Sequence, residues 1–209
     1  MGNKLLLIGG GGHCRSVLDS VLSMNLYDKI GIIDSSDCSC LDIPVIGTDE
    51  DIPVLKRDGW TDAFITVGSI GNTKIRRHLS ENLMALGLNI PTIIDPTAIV
   101  ARGISIGVGV FIGKKAIVNT NSIIGKYSIV NTGAVIEHDC QIGDFSHISP
   151  GAILCGGVKI GDDTHIGAGS VIKQQIVIGN NSLIGAGSVV VENINDGKTA
   201  YGNPCRVVR

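Results

Sequence analysis

From Val100 to Val190, every sixth residue is aliphatic. Stepping through Ile106, Ile112, Val118 and Ile124 to Ile184 and Val190 meets Ile, Val or Leu at all sixteen positions. A Gly often follows, as at Gly107, Gly125, Gly143 and Gly161, and a small residue stands two places before, as at Ser122, Ser128, Ala134 and Ser146. A strict short period is the mark of a solenoid in which each repeat buries its apolar face against the next. One hexad makes a short strand and a turn, and three make a triangular coil, so the run predicts roughly five coils of parallel strands. Glycines beside the aliphatic positions are expected to let the backbone turn without a Cβ penalty. The composition agrees, because Gly numbers 29 and aromatic residues are only 3%. No insertion breaks the register, so no long loop leaves the coil.

Before about residue 95 the pattern differs. Apolar runs at 4–8, 29–33, 63–67 and 89–94 read as strands. Residues 13–24 and 72–86 read as helices, the second with Ile75, Leu79, Leu83 and Leu86 on one face. Strands alternating with helices predict a small parallel sheet. The fold class expected is therefore α/β plus β: a Rossmann-like domain over 1–94 and a β-helix with a C-terminal tail over 95–209. Gly9-Gly10-Gly11-Gly12-His13 follows the first strand and opens the first helix. It resembles a dinucleotide turn, with Asp34 ending the second strand where a ribose ligand would sit. Cys14 occupies the third glycine position, however, and 95 residues leave no room for a second mononucleotide half.

Several functions are disfavoured by composition. The net charge is -2 and there is no basic run, so no nucleic-acid partner is expected. No apolar stretch reaches the ~20 residues of a membrane span. The six cysteines lack metal-site spacing and read as free thiols of a cytoplasmic protein.

Chemistry is sought first among five histidines. His78 falls in a charged stretch with Arg76 and Arg77 and reads as surface. His165 lies 18 residues after His147 and reads as a stacked polar position. His138 lies in Glu137-His138-Asp139, an ionisable triplet at a turn of an apolar, Gly-rich coil. An imidazole can take a proton near neutral pH, and an adjacent carboxylate can hold its tautomer. A solvated polar turn is the alternative reading.

The segments Asn131-Thr132-Gly133-Ala134-Val135-Ile136-Glu137-His138-Asp139-Cys140 and Ile142-Gly143-Asp144-Phe145-Ser146-His147-Ile148-Ser149 resemble the active-site region of the sialic acid O-acetyltransferase-like family. Within it the chain is most similar to bacterial N-acetyltransferases of nucleotide-linked 4-amino-4,6-dideoxysugars, of the UDP-N-acetylbacillosamine type. The glycine turn, Val67-Gly68 and the ending Tyr201-Gly202-Asn203-Pro204-Cys205-Arg206 also match, with Cys205 where Ala is usual. The resemblance implies a left-handed coil, acetyl-CoA as donor, no metal, and a homotrimer with active sites between neighbouring β-helices. It implies His138 as general base assisted by Asp139, with His147 near acetyl-CoA and Gly156 and Ala168 along the pantetheine groove. It places Asn131 near the sugar, and Gly10, Gly11, Gly12, His13, Asp34 and Gly68 around a UDP- or dTDP-sugar. Three rivals are weighed: a sialic acid or other sugar O-acetyltransferase, a catalytically silent nucleotide-sugar scaffold, and a zinc site of the γ-carbonic anhydrase kind.

Overall fold

The structure is a computed structural model that describes residues 2–36 and 38–209. The chain divides into two compact units. One runs to Ser69 and resumes over Lys74–Ile93; the other comprises Ile70–Thr73 and Ile94–Arg209.

The first unit contains β1 (Lys4–Ile8), α1 (Gly12–Met24), β2 (Lys29–Ile33), β3 (Val45–Gly47), α2 (Ile52–Arg57), β4 (Asp62–Ile65) and α3 (Lys74–Ala85). Its sheet is parallel in the order β3-β2-β1-β4. β1 is central, and Leu5, Leu6 and Leu7 are buried on both faces, which is why it reads as an unbroken apolar run. Two expectations are corrected here. Residues 89–94 form only the strand Ile93–Ile94, with Asn89 making a single parallel bridge to Asp62. His78 is exposed, as expected, whereas its neighbour Arg76 is buried. Arg76 is 2% exposed and donates to the carbonyls of Val67 at 2.6 Å and Ile65 at 3.4 Å. Burial pushes its pKa down to about 10. Ile75 turns outward while Leu79 and Leu83 enter the core.

The second unit is a triangular prism. Every hexad contributes a strand of two residues, and each strand pairs in parallel with the strand 18 residues on, as Ile124 does with Ile142. The first face runs from Ser105–Ile106 to Val177–Ile178. The second contains Phe111–Ile112 through Leu183–Ile184. The third runs from Ile99–Val100 to Val189–Val190. The sixth-position aliphatic residues fill the interior as one continuous cluster, partly buried at Val100 and Ile106 and buried from Ile112 onward.

Two features of the repeat acquire a cause. Where the residue two places before the core residue is Ser or Thr, its buried hydroxyl ties one coil to the next. Ser128 Oγ donates to the Gly143 carbonyl at 2.7 Å and accepts from Ser146 N–H at 3.0 Å. Ser146 repeats this with Gly161 and Thr164. The glycines after the core residue have a different role from the one expected. A Cβ on Gly143 would stand 2.6 Å from the backbone of Asp162 and Gly161, so they are present for close approach between coils. The left-handed residue comes two places later and is often not Gly: Asn121, Asp139 and Asp163 have φ of 58°, 61° and 55°. Asn and Asp tolerate that region best among side-chain-bearing residues.

Beyond Val190 the stacking interval shortens to 16, pairing Ile184 with Ala200. The antiparallel hairpin Thr199–Gly202 and Cys205–Val207 closes the prism end, with Cys205 buried.

Candidate active site

His138 and Asp139 occupy the corner between the third and first faces. Asp139, left-handed at φ 61°, brings its carboxylate back to the preceding ring. His138 Nδ1–H donates to Asp139 Oδ2 at 2.7 Å, and both side chains are more than half exposed. That bond holds the Asp139 carboxyl below the usual carboxylate range, with a smaller contribution from Asn121. With Nδ1 carrying the proton, Nε2 bears the lone pair, the arrangement a general base requires. Glu137 takes no part in the pair; its carboxylate accepts from Asn119 Nδ2 at 3.1 Å.

Gly156 lies one coil above His138. A Cβ there would be 2.6 Å from His138 Cε1 and 2.7 Å from Nε2. The catalytic imidazole of the expected mechanism therefore rests against a bare backbone.

His147 is on the second face, across the prism from the His138 corner. A single chain does not bring the two histidines together. Asn131 Oδ1 accepts the Thr132 N–H at 2.8 Å, so its amide nitrogen points to His147 Nε2 at 3.1 Å. His147 is thereby set with its proton on Nδ1. His165 is stacked edge-on against it, with ring centroids 5.0 Å apart and planes at 84°. His165 Nε2 is hydrogen-bonded to Ser149 Oγ at 3.3 Å. Burial, and then the neighbouring His147, push the His165 pKa down to about 4. A groove of about 410 Å³ runs over this face, and Ile70, His147, Ser149, His165, Ala168 and Leu183 are among its walls. Ala168 lies in this groove, whereas Gly156 lies at the opposite corner, so one chain does not align them along one channel.

Ile70 reaches the groove because the 70–73 segment is pinned to the coil. Thr73 Oγ1 donates to Asp163 Oδ1, and Gly71 packs so closely that a Cβ would stand 2.9 Å from Leu183 Cδ1. Nothing in the local pattern of these four residues marks them as part of the solenoid.

In the first unit, Gly9 has φ 103°, and its N–H donates to the Ile33 carbonyl at 2.8 Å, turning the chain from β1 into α1. Asp34 Oδ2 accepts the Gly10 N–H at 2.7 Å, and Oδ1 accepts from Ser36 N–H and Oγ. These donors hold the Asp34 pKa at about 2. The Gly10 N–H is thus engaged by Asp34 and is not a donor for a ligand. Gly11 and Gly12 are different: a Cβ on either meets nothing within 4 Å, so the mouth of α1 is open. His13 and Gly68 meet there, the built Cβ of Gly68 being 3.5 Å from His13 Cβ. A cavity of about 510 Å³ lies at the carboxyl ends of β1 and β2, walled by Gly9, Asp34, Thr48, Asp49, Glu50 and Val67 among others. Thr48, Asp49 and Glu50 are absent from the sequence expectation, although Thr48 and Asp51 form a legible capping box. Among the described residues no group of three His, Cys, Asp or Glu could hold a metal ion, and no helix is long and apolar enough to cross a membrane.

A hexapeptide prism carrying a histidine–carboxylate pair on one corner, with a small parallel-sheet unit ahead of it, defines an acyltransferase of the hexapeptide-repeat class. Residues 4–83 match the PglD N-terminal domain, and residues 139–174 and 157–192 match the bacterial transferase hexapeptide (six repeats). A mutant of the perosamine N-acetyltransferase from Caulobacter crescentus, in complex with CoA and GDP-perosamine, superposes with a TM-score of 0.93 at 31% identity, covering 99% of this chain and 97% of that one. The acetyltransferase domain of PglB from Neisseria gonorrhoeae, in complex with acetyl coenzyme A, gives 0.91 at 37% identity and covers 100% of both chains. WeeI from Acinetobacter baumannii gives 0.84 at 26% identity, covering 98% and 99%. No match was found among the curated proteins. The chain belongs to the family of PglD-type sugar N-acetyltransferases. Its fold is a small parallel-sheet domain followed by a left-handed parallel β-helix.

Proposed function

We propose that this protein transfers the acetyl group of acetyl-CoA to the amino group of a nucleotide-linked amino sugar. The observation that carries the reading is the match over the whole chain to sugar acetyltransferases holding CoA and GDP-perosamine or acetyl-CoA. Geometry supports the chemistry. The sugar amine attacks the thioester carbonyl carbon. His138 Nε2 takes the proton from the nitrogen, with Asp139 stabilising the imidazolium through Nδ1. The C–S bond breaks, and the imidazolium returns the proton to the CoA sulfur.

The first unit is the nucleotide-sugar domain, with the pyrophosphate at the open α1 mouth of Gly11, Gly12 and His13. The base enters the cavity beside Asp34. Gly68 and Asn131 are kept as substrate contacts, and His147 and Ala168 as donor contacts. The active site is completed by a second copy, in a homotrimer. His138 and the His147 groove lie on opposite sides of one prism, so each needs its counterpart from a neighbour. The third face supports this: its outward column, Ile99, Ile117, Val135, Ile153, Val171 and Val189, is wholly aliphatic, and Ile99 is 62% exposed. A continuous apolar strip of that kind marks an interaction surface. The reaction belongs in the cytoplasm, where acetyl-CoA is available and the six free cysteines would stay reduced.

The test is release of free CoA, followed with a thiol reagent, using acetyl-CoA with GDP-perosamine or a UDP-4-amino-4,6-dideoxysugar. Release abolished by His138→Ala is the expected result. Release with a hydroxyl acceptor such as sialic acid, and none with any amino sugar, would overturn it.

A further inference from the structure

Ile70 is the most exposed large apolar side chain among the described residues, at 76%. Its neighbour Ser69 is 8% exposed. The chain therefore buries a small polar residue and exposes a branched apolar one, the reverse of what water favours. Two contacts hold it so. Thr73 Oγ1 donates to Asp163 Oδ1. Gly71, left-handed at φ 67°, packs so closely that a Cβ would stand 2.9 Å from Leu183 Cδ1. A lone exposed apolar residue needs no explanation; one pinned at the edge of an apolar groove does. Ile70 forms one wall of the groove on the second face. Along that groove Pro150, Ala168 and Ala186 follow one another from coil to coil. Gly169 N–H donates to the Pro150 carbonyl at 2.9 Å, and Gly187 N–H to the Ala168 carbonyl at 2.8 Å. At ~4.8 Å per strand, these residues carry the groove about 10 Å along the prism axis. Among the described residues that line it, none is Lys, Arg, Asp or Glu. A long groove without charge suits a slender uncharged chain.

We propose that Ile70 is a donor-binding residue: held at the groove edge, it packs on the pantetheine arm of acetyl-CoA and is buried when the donor binds. This rests on the reading above that acetyl-CoA occupies this groove. The arm is the uncharged part of the donor, a chain of amides, methylenes and a pair of methyl groups, and the phosphates lie beyond it. Its aliphatic carbons meet the Ile70 side chain, and removing both surfaces from water favours the complex. Ile70 has no polar group with which to move a proton or polarise the thioester. Its contact is the same before and during the reaction, so it acts on donor affinity and leaves turnover at saturating donor alone.

The experiment compares Ile70→Ser, Ile70→Leu and Ala168→Phe with wild type in the full-length protein. It measures the Kd of CoA by calorimetry, kcat and KM for acetyl-CoA, and the thermal midpoint. In Ile70→Ser, Kd and KM are expected to rise about tenfold, which is about 1.4 kcal/mol, with kcat changed by less than about twofold. The midpoint is expected not to fall, because the side chain is already exposed in the free protein. Ile70→Leu keeps an aliphatic side chain and is expected to stay within about threefold of the wild-type Kd. Ala168→Phe fills the groove and tests the groove assignment itself, so its Kd is expected to rise. Wild-type Kd in Ile70→Ser with a raised Kd in Ala168→Phe would overturn the role of Ile70 and leave the groove assignment standing. Wild-type Kd in both would overturn the two together. Equal loss in the Ser and Leu variants with a lowered midpoint would also overturn the proposal, since the residue would then serve the fold alone. So would a fall in kcat at unchanged Kd.

Discussion

Replacing Gly156 with Ala should disable the base without disturbing the coil. The built Cβ lies 2.6 Å from His138 Cε1 and 2.7 Å from Nε2, against the ~3.5–4.0 Å at which carbon atoms pack favourably. One partner must retreat by roughly 1 Å. Gly156 is not in the left-handed region, so Ala fits the backbone. The imidazole is 58% exposed and held by a single hydrogen bond to Asp139, so the ring is what yields. Stability should change by no more than about 0.5 kcal/mol, as for other surface substitutions. The rate is different, because a 1 Å displacement of a reacting group costs about 10²-fold, or roughly 2.7 kcal/mol of barrier. Steady-state CoA release should show kcat lowered by about that factor and KM for acetyl-CoA little changed. A raised KM with normal kcat would refute the reasoning and return Gly156 to a role in lining the pantetheine groove. A large drop in thermal midpoint would refute it differently, by showing that backbone rather than the ring had moved.

Gly143→Ala is the contrasting case: its Cβ meets backbone of Gly161 and Asp162 at 2.6 Å, which cannot swing aside, so about 1–3 kcal/mol of stability should be lost by chemical denaturation. Asp34→Asn tests the N-terminal turn. The folded-state pKa of about 2 is below the ordinary ~3.9, so the stabilisation by Asp34 is complete above pH ~4 and is lost as pH falls toward 2. The variant should therefore be less stable than wild type at neutral pH and converge with it in acid. Thiol titration of the native protein should find no more than two fast-reacting groups, Cys38 and Cys155, since the other four are buried and burial pushes Cys14 and Cys140 up to about 11. All six should react on unfolding.

The short period made most of the β-helix legible from sequence. Each hexad repeats the same local choice of an aliphatic core residue followed by a corner, and the choice is visible wherever it recurs. The first unit was less readable for the opposite reason. β3 has three residues and α2 six, too few for a period to register, and the burial of Arg76 depends on carbonyls of a distant strand end. The His138–Asp139 pair was legible because adjacent residues form it.

What sequence alone determined is therefore the fold, the family and the candidate base. Only the tertiary structure decided how these parts relate. Closure of the coil at 18 residues puts Gly156 against His138, stacks His165 on His147, and sends His138 and His147 to opposite sides of the prism. It also reassigned the glycines after the core residues from turning the chain to allowing neighbouring coils to touch. The physical reason is common to all of these. A repeat specifies contacts within a hexad through local geometry, whereas contacts between coils arise only after the chain has come round to meet itself.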